Sequence, residues 1–249
     1  MSNDDFYQNL CRYYHIIYPD WENSLNVQAE QLSSIIKSFE EQTSQTILDV
    51  SCGIGTQVIG LAQLGYNLTA NDISEHMVAR AKKECQIRQL DVKWNECDMC
   101  HLCEHITEQF DVVLCCDNSI SHLMSDNLLE TAFKQFHQLT KDEGMCLLSV
   151  RDWSDLLNTK EGIIPAEKRI INGNRYYYFQ TWKRSERHLK VDMFLIKDAE
   201  NLETIQFPRS HYLISNFEQI CTLLNKAGFE QTFIDFNSYI QPVIVARKQ

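Results

Sequence analysis

No apolar run in this chain is long enough to span a bilayer. Residues 1–20 are acidic and aromatic and contain no apolar stretch of the kind a secretory signal needs. Both absences predict a cytoplasmic protein. Positive charge is also scarce: 23 Lys and Arg against 34 Asp and Glu give a net charge of −11. A broad nucleic-acid footprint needs clustered Lys and Arg to neutralise phosphates, so the balance argues against one. No internal repeat, low-complexity tract or long linker interrupts the 249 residues, enough for one α/β domain of ordinary size plus an insertion. With 44% hydrophobic residues the chain can bury a sizeable core.

Cysteine, by contrast, is plentiful. Ten cysteines would form a disulfide framework in a small secreted domain, but an intracellular chain should keep them as thiols. Cys52, Cys115, Cys116 and Cys146 lie in or beside apolar strands, where Cys behaves as a small hydrophobe. The run from Cys97 to His105 has C-x2-C-x2-C spacing, which suits zinc or part of an iron–sulfur cluster. A ferredoxin-type run adds a fourth Cys and usually a Pro, and neither follows. The expectation is no metal.

The chain is organised around Ile47 to Gln57, reading ILDVSCGIGTQ. A short apolar run of the kind a buried parallel strand shows breaks at Gly53 and Gly55, then becomes helical through Leu64 to Gly65. Strand, glycine turn and helix open a nucleotide-binding α/β unit, with glycines letting the backbone approach a ligand. The second strand, Asn67 to Asn71, ends on Asp72, where a carboxylate can accept from both ribose hydroxyls. A dinucleotide fingerprint needs a third glycine where Val58 stands, which lowers the nicotinamide reading.

Together these residues resemble the class I S-adenosylmethionine-dependent methyltransferases, although Ser51 and Gln57 stand where that family usually has glycine. The resemblance implies a Rossmann-like α/β fold. Its seven-stranded, mostly parallel sheet would have an antiparallel last strand, helices on both faces and a small antiparallel β insertion. It implies S-adenosylmethionine as cofactor, held around Asp49, Ser51, Gly53, Gly55, Asp72, Ile73, Met77 and Cys116. Cys97-Asp98-Met99 resembles the loop that reads the adenine amino group, a carboxylate accepting from it and an apolar side chain flanking the ring.

In chain order, residues 1–46 read as a helical lid. Tyr7, Leu10, Tyr14, Ile17 and Tyr18 recur at helical spacing, Pro19-Asp20-Trp21 breaks the run, and a second helix reaches about Phe39. The stretch YYHIIYPDW resembles the segment that lies over the cofactor in small-molecule N-methyltransferases, which makes Tyr18 and Trp21 site neighbours. Residues 47–155 form the cofactor-binding core. It contains a helix from Ile73 to Arg88 capped by Ser74, a third strand from Val92 to Asn95 and a fourth from Phe110 to Cys116. A helix to Leu139 and a fifth strand, Met145 to Val150, follow. The fourth strand is placed beside the first, and its loop Asp117 to Leu123 lies at the switch point where open parallel sheets bind ligands. Residues 156–210 read as an insertion of roughly three antiparallel strands over the acceptor site. They are Arg175 to Lys183, Leu189 to Ile196 and Glu203 to Tyr212, with a hairpin turn at Asn172-Gly173. Residues 211–249 resume the core with a helix capped by Ser215 and ended by Gly228, then strands Phe229 to Phe236 and Val243 to Arg247.

Three stretches narrow the resemblance to the glycine and sarcosine N-methyltransferases. CCDNSISHL at Cys115 to Leu123 matches a G-N-S-x-x-H-L loop at Asn118, Ser119 and His122, with Asp117 in place of the glycine. Arg151 matches an arginine that grips the acceptor carboxylate, and Tyr239, in DFNSY, a tyrosine near the acceptor. A sulfonium methyl is already activated, so the enzyme must align an unprotonated amine behind it. No catalytic triad is needed and none is visible. The Asn118 side-chain carbonyl is the group expected to orient the amine, and His122 the only nearby candidate base. The implied acceptor is a small-molecule amine such as glycine, sarcosine or a related amino acid. The alternatives are another small metabolite, a tRNA base, or a non-catalytic S-adenosylmethionine-binding protein. No membrane partner is expected and nucleic acid is disfavoured.

Overall fold

The computed structural model describes residues 3–39, 45–156, 159–171, 173–198 and 202–249. The apolar run at Ile47 becomes strand β1 (Thr46–Asp49), which pairs in parallel with β2 (Asn67–Asp72) and with β4 (Phe110–Cys115). The sheet extends through β3 (Lys93–Glu96) on one side and β5 (Thr140–Ser149) on the other. It closes with β12 (Val243–Arg247) and β11 (Gln231–Asp235), giving the order β11-β12-β5-β4-β1-β2-β3. Only β12 runs against its neighbours, as expected for the last strand.

Side chains alternate across a strand, so each apolar run fills two cores. Ile47, Val112, Leu114, Met145, Leu147, Val243 and Val245 face helices α2 (Trp21–Phe39), α3 (Thr56–Gln63) and α4 (Glu75–Ile87). Leu48, Val113, Cys115, Cys146, Leu148, Ile244 and Ala246 face α5 (Asp126–Leu139) and α6 (Phe217–Ala227). Helices therefore cover both faces. Helices α2 and α3 meet at Gly60, where an added Cβ would stand 2.2 Å from the Leu25 carbonyl oxygen.

Three expectations need correction. The N-terminal run is not one helix. Helix α1 (Asn3–Leu10) ends in a turn, with Tyr13 N–H donating to the Leu10 carbonyl, and a 3-10 turn, Tyr14–Ile17, follows. Ser74 sits at the N-terminus of α4, yet its hydroxyl is buried without a partner among the described residues; its N–H donates to Asp72 Oδ1 instead. Helix α6 is capped by Asn216 rather than Ser215. Asn216 and Gln219 exchange side-chain and backbone hydrogen bonds in a capping box, and Gly228 ends the helix at φ +117°.

The insertion has five strands, not three. Strands β6 (Glu161–Ile171), β7 (Asn174–Ser185), β8 (His188–Asp198) and β10 (Ser210–Leu213) form one antiparallel sheet, and β9 (Glu203–Gln206) also pairs with β8. The stretch read as one strand from Glu203 to Tyr212 divides around Pro208, which lacks an N–H for the ladder. Because β10 pairs with β8, this sheet extends past residue 210. Gly173 of the hairpin turn has φ +78°, while Asn172 lies outside the described residues. Phe6, Leu10 and Ile16 of the N-terminal segment pack on Met193, Leu195 and Phe207, so this segment joins the two sheets. Among the described residues no helix is long and apolar enough to cross a membrane.

Candidate active site

The loops after β1, β2, β3 and β4 all open at one edge of the large sheet and enclose a cleft of about 290 Å³. Asp72 ties two of them. Its Oδ2 accepts from Gly53 N–H at 2.8 Å and its Oδ1 from Ser74 N–H at 3.0 Å. Gly53 adopts φ +53°, and a Cβ there would point into open space, so its backbone presents directly to the cleft. Asn71 cross-links three strand ends: its side-chain amide donates to the carbonyls of Val50 and Cys97, and its Oδ1 accepts from Cys97 N–H. This stitching was not read from the sequence.

Ser51, Gly53, Asp72, Ile73, Asp98 and Met99 line the cleft together with His122, Leu123 and Leu128. The set fits a nucleoside: a carboxylate at the end of β2 for the sugar hydroxyls, a second at Asp98, and apolar side chains to flank a ring.

Other expected cofactor residues lie elsewhere. Trp21 is 8% exposed, donates its indole N–H to Thr56 Oγ1 at 3.0 Å, and is covered by the guanidinium groups of Arg80 and Arg88. It joins α2 to the core. Met77 is a buried core residue of α4. Gly55 starts α3 at φ +91°, where a Cβ would press on Ala81 and Ile59 at 3.3 Å; its role here is packing. Cys97 turns its thiol to Asn71 Oδ1, and Cys116 is buried beneath the loop. Asp49 lies under the glycine turn, accepting from Ser51 N–H while its Oδ2 has no partner among the described residues. Burial pushes its carboxyl up to about 8.

A second cavity, of about 540 Å³, opens between the large sheet, the N-terminal segment and the insertion. Tyr18, Asp117, Asn118, Arg151, Trp153, Glu167, Tyr178 and Tyr212 line it, and Tyr7 and Tyr14 line both cavities. These two tyrosines are the shared wall.

The turn after β4 is built on two residues in the left-handed region, Asp117 at φ +54° and Asn118 at φ +63°. Asn118 Oδ1 accepts from Ser121 Oγ at 2.9 Å and Arg151 N–H at 3.1 Å. Both lone pairs are occupied, so this carbonyl braces the loop rather than facing an acceptor. Asp117 holds the more exposed position. Its Oδ2 accepts from Tyr18 OH at 2.7 Å and Gln57 Nε2 at 3.2 Å. Gln57 is in turn bonded to Gln28 Oε1, which also accepts from Tyr239 OH at 2.5 Å. Tyr239 is thus buried behind the cavity, at 5% exposure, and supports this network instead of facing the acceptor. Of the three positions where the sequence departs from the family glycines, Ser51, Gln57 and Asp117, the last two touch. That coincidence was the signal in the sequence.

His122 is occupied at both ring nitrogens. Nδ1 lies 3.0 Å from the His211 carbonyl, which can only accept, so Nδ1 carries the proton and Nε2 accepts from Tyr7 OH at 2.5 Å. Burial pushes its imidazolium down to about 4. The expected base is therefore a neutral clamp on the N-terminal segment. Arg151 is exposed, stacks 5.4 Å from the Trp153 ring centroid and, among the described residues, has no carboxylate at ion-pair distance. Of the cysteine run, Cys100 turns its thiol to the Leu128 carbonyl and Cys103 to the Gln135 carbonyl, so the three sulfurs do not converge. Among the described residues no cluster of metal-ligating side chains is present.

Residues 47–144 match the methyltransferase-domain family. Over 246 residues the chain is 25% identical to the glycine/sarcosine N-methyltransferase of Aphanothece halophytica, covering 95% of this chain and 86% of that one. Among solved structures, DesVI of Streptomyces venezuelae aligns with a TM-score of 0.83 at 14% identity, over 96% of this chain and 98% of that one. The sugar N-methyltransferase KedS8 from Streptoalloteichus sp ATCC 53650 aligns with a TM-score of 0.75 at 16% identity, over 90% and 88%. At those identities the structural likeness speaks for the fold, whereas the family match spans the loops that carry Ser51, Gly53, Asp72 and Asp98.

Proposed function

We propose an acceptor class from one premise: the chain is an S-adenosylmethionine-dependent methyltransferase of the class I fold. The acceptor is a small-molecule amine that also carries an anionic group, the class to which glycine, sarcosine and related amino acids belong. When bound, the cofactor supplies a methyl group activated by its sulfonium. Ser51, Gly53, Asp72 and Asp98 would hold it in the smaller cavity, and the chain's task is to present a free amine from the larger one.

One observation carries the reading. Arg151 lines the same cavity as Asp117 and, among the described residues, has no carboxylate partner. A guanidinium presents a planar fork that fits a carboxylate or phosphate bidentately. An anion held there leaves the amine end of the acceptor toward Asp117 and the wall of Tyr7 and Tyr14. That wall lines both cavities. The relative in Aphanothece halophytica and KedS8 are named for small amine acceptors, which supports the same class. A cavity of about 540 Å³ is far larger than glycine needs, so acceptors beyond the simplest amino acid fit.

The test is methyl transfer to glycine, sarcosine, larger amino acids and amino-sugar phosphates, against the same amines lacking the anionic group. The anionic amines should be preferred. Arg151→Ala should lose roughly 2–4 kcal/mol of transition-state binding, and Arg151→Lys should recover only part. Equal turnover of the uncharged amines, or intact turnover in Arg151→Ala, would sink the anionic half of the proposal.

A further inference from the structure

We infer that Asp117 is the catalytic residue that takes the proton from the acceptor's ammonium, with Gln57 and Tyr18 positioning its carboxylate; this rests on the reading of the acceptor as a small-molecule amine. An ammonium has no lone pair, so an amine delivered from neutral water must lose a proton before it can attack. The two cavities present several oxygen and nitrogen groups for this task, and hydrogen bonding and burial together favour one. His122 is hydrogen-bonded at both nitrogens, and Asn118 Oδ1 has both lone pairs occupied. Glu167, paired with Arg169, and Asp152, which accepts from Ser154 N–H, are both exposed to solvent. Asp117 is the half-buried carboxylate of the three, and it is anchored by two side-chain donors. Tyr18 and Gln57 fix Oδ2, and Oδ1 has no partner among the described residues while the side chain lines the cavity.

The step balances simply. An N–H bond of the ammonium breaks and its electron pair stays on nitrogen as the attacking lone pair. The proton forms an O–H bond at Oδ1, and one positive and one negative charge are neutralised together. A pair of charges in a partly enclosed cavity favours that neutralisation, and burial raises the Asp117 carboxyl while its bonds from Tyr18 and Gln57 lower it. The titratable groups around it are Tyr7, Tyr14 and Tyr18 of the N-terminal segment, Tyr239 of the loop before β12, Cys116 beside it, and Asp49 and Asp72 across the sheet edge. Burial holds these tyrosines and Cys116 neutral, and Arg151 is the cation lining the same cavity.

Asp117→Asn is the deciding variant, because asparagine tolerates the left-handed backbone and still accepts from Tyr18 and Gln57. Carbon NMR of aspartate-labelled protein follows Asp117 directly, its signal identified by loss in the variant. The wild-type midpoint should lie above the ordinary carboxylate range and rise further in Gln57→Leu and Tyr18→Phe, which remove donors to the charged form. An ordinary midpoint, unmoved in both variants, overturns the inference. In turnover of the best amine from the panel above, Asp117→Asn should lower kcat by about 100-fold or more and flatten the rising limb of its pH profile. Calorimetric affinity for S-adenosylhomocysteine should stay within about twofold of wild type, since Asp117 does not line the cofactor cleft. Asp117→Asn at half the wild-type rate or better, with the same limb, overturns the inference and leaves the amine reading standing. If wild type methylates no amine in the panel, the amine reading falls and takes the inference with it.

Discussion

The clamp at His122 makes a quantitative claim about stability and pH. Its imidazole is held near a folded value of about 4, chiefly by burial, against an ordinary 6.5. As pH falls through 6.5 the unfolded chain binds a proton at this residue while the folded chain does not. Stability from the clamp is therefore complete above about pH 6.5 and is lost progressively toward pH 4. The whole interval corresponds to about 3 kcal/mol, and the part down to pH 5 to about 2 kcal/mol. The perturbation to use is His122→Gln, whose amide can donate to the His211 carbonyl and accept from Tyr7 but does not titrate. Urea unfolding of both proteins at pH 7.5, 6.5, 5.5 and 5.0 cancels every other titrating group in the difference. The wild-type advantage should shrink by about 2 kcal/mol from pH 6.5 to 5.0. If the two stability curves stay parallel over that range, His122 is not held neutral and the argument that removes it as a base collapses.

Other expectations concern the cofactor cleft, the helix contact and the thiols. Gly53→Val places a side chain in the open space of the cleft and should abolish calorimetric binding of S-adenosylhomocysteine while a cooperative unfolding transition remains. Asp72→Ala should weaken that binding by about 1.5–3 kcal/mol, as for a lost hydrogen bond to a charged group; unchanged affinity in both variants would defeat the cleft assignment. Gly60→Ala drives a methyl into the Leu25 carbonyl and Ala29, and should lower stability by about 1–3 kcal/mol with a matching drop in Tm. Elemental analysis of protein purified without chelators should give well under one zinc or iron per chain. One tightly held metal, lost in Cys97→Ser or Cys100→Ser, would reverse that reading.

Strands β1, β4, β5 and β12 were legible because each carries a short apolar run whose alternate residues fill two cores, as Val112 and Val113 do. Strand β6 was not legible. It is an edge strand, mostly exposed, with Pro165 at an irregularity between Ile164 and Glu167, so no alternating pattern survives. That Asp72, Gly53 and the loop at Asp98 share one cleft could be read from sequence because all lie at the C-terminal ends of neighbouring parallel strands. Trp21 and Met77 could not, since an aromatic or a thioether reads the same whether it faces a ligand or the core. The Gln57–Asp117 contact went unread although its signal was present: both residues replace a family glycine, 60 residues apart, on the segments that follow the adjacent strands β1 and β4.

The N-terminal segment has a consequence for how the chain comes off the ribosome. Tyr7 finds His122 at a separation of 115 residues, and Ile16 offers its carbonyl to Arg169 at a separation of 153. Phe6 packs edge-on against Phe207, later still. Phe6 and Leu10 of the first helix thus have no burial partner from the second sheet until residues 193–207 have been made, and contacts of such span are slow to form. Both cavities acquire their common wall only when that segment docks. A nascent chain stalled just before Phe207 leaves the ribosome with β11 and β12 not yet made, its cofactor cleft unwalled and an aromatic helix exposed to whatever chaperone waits there.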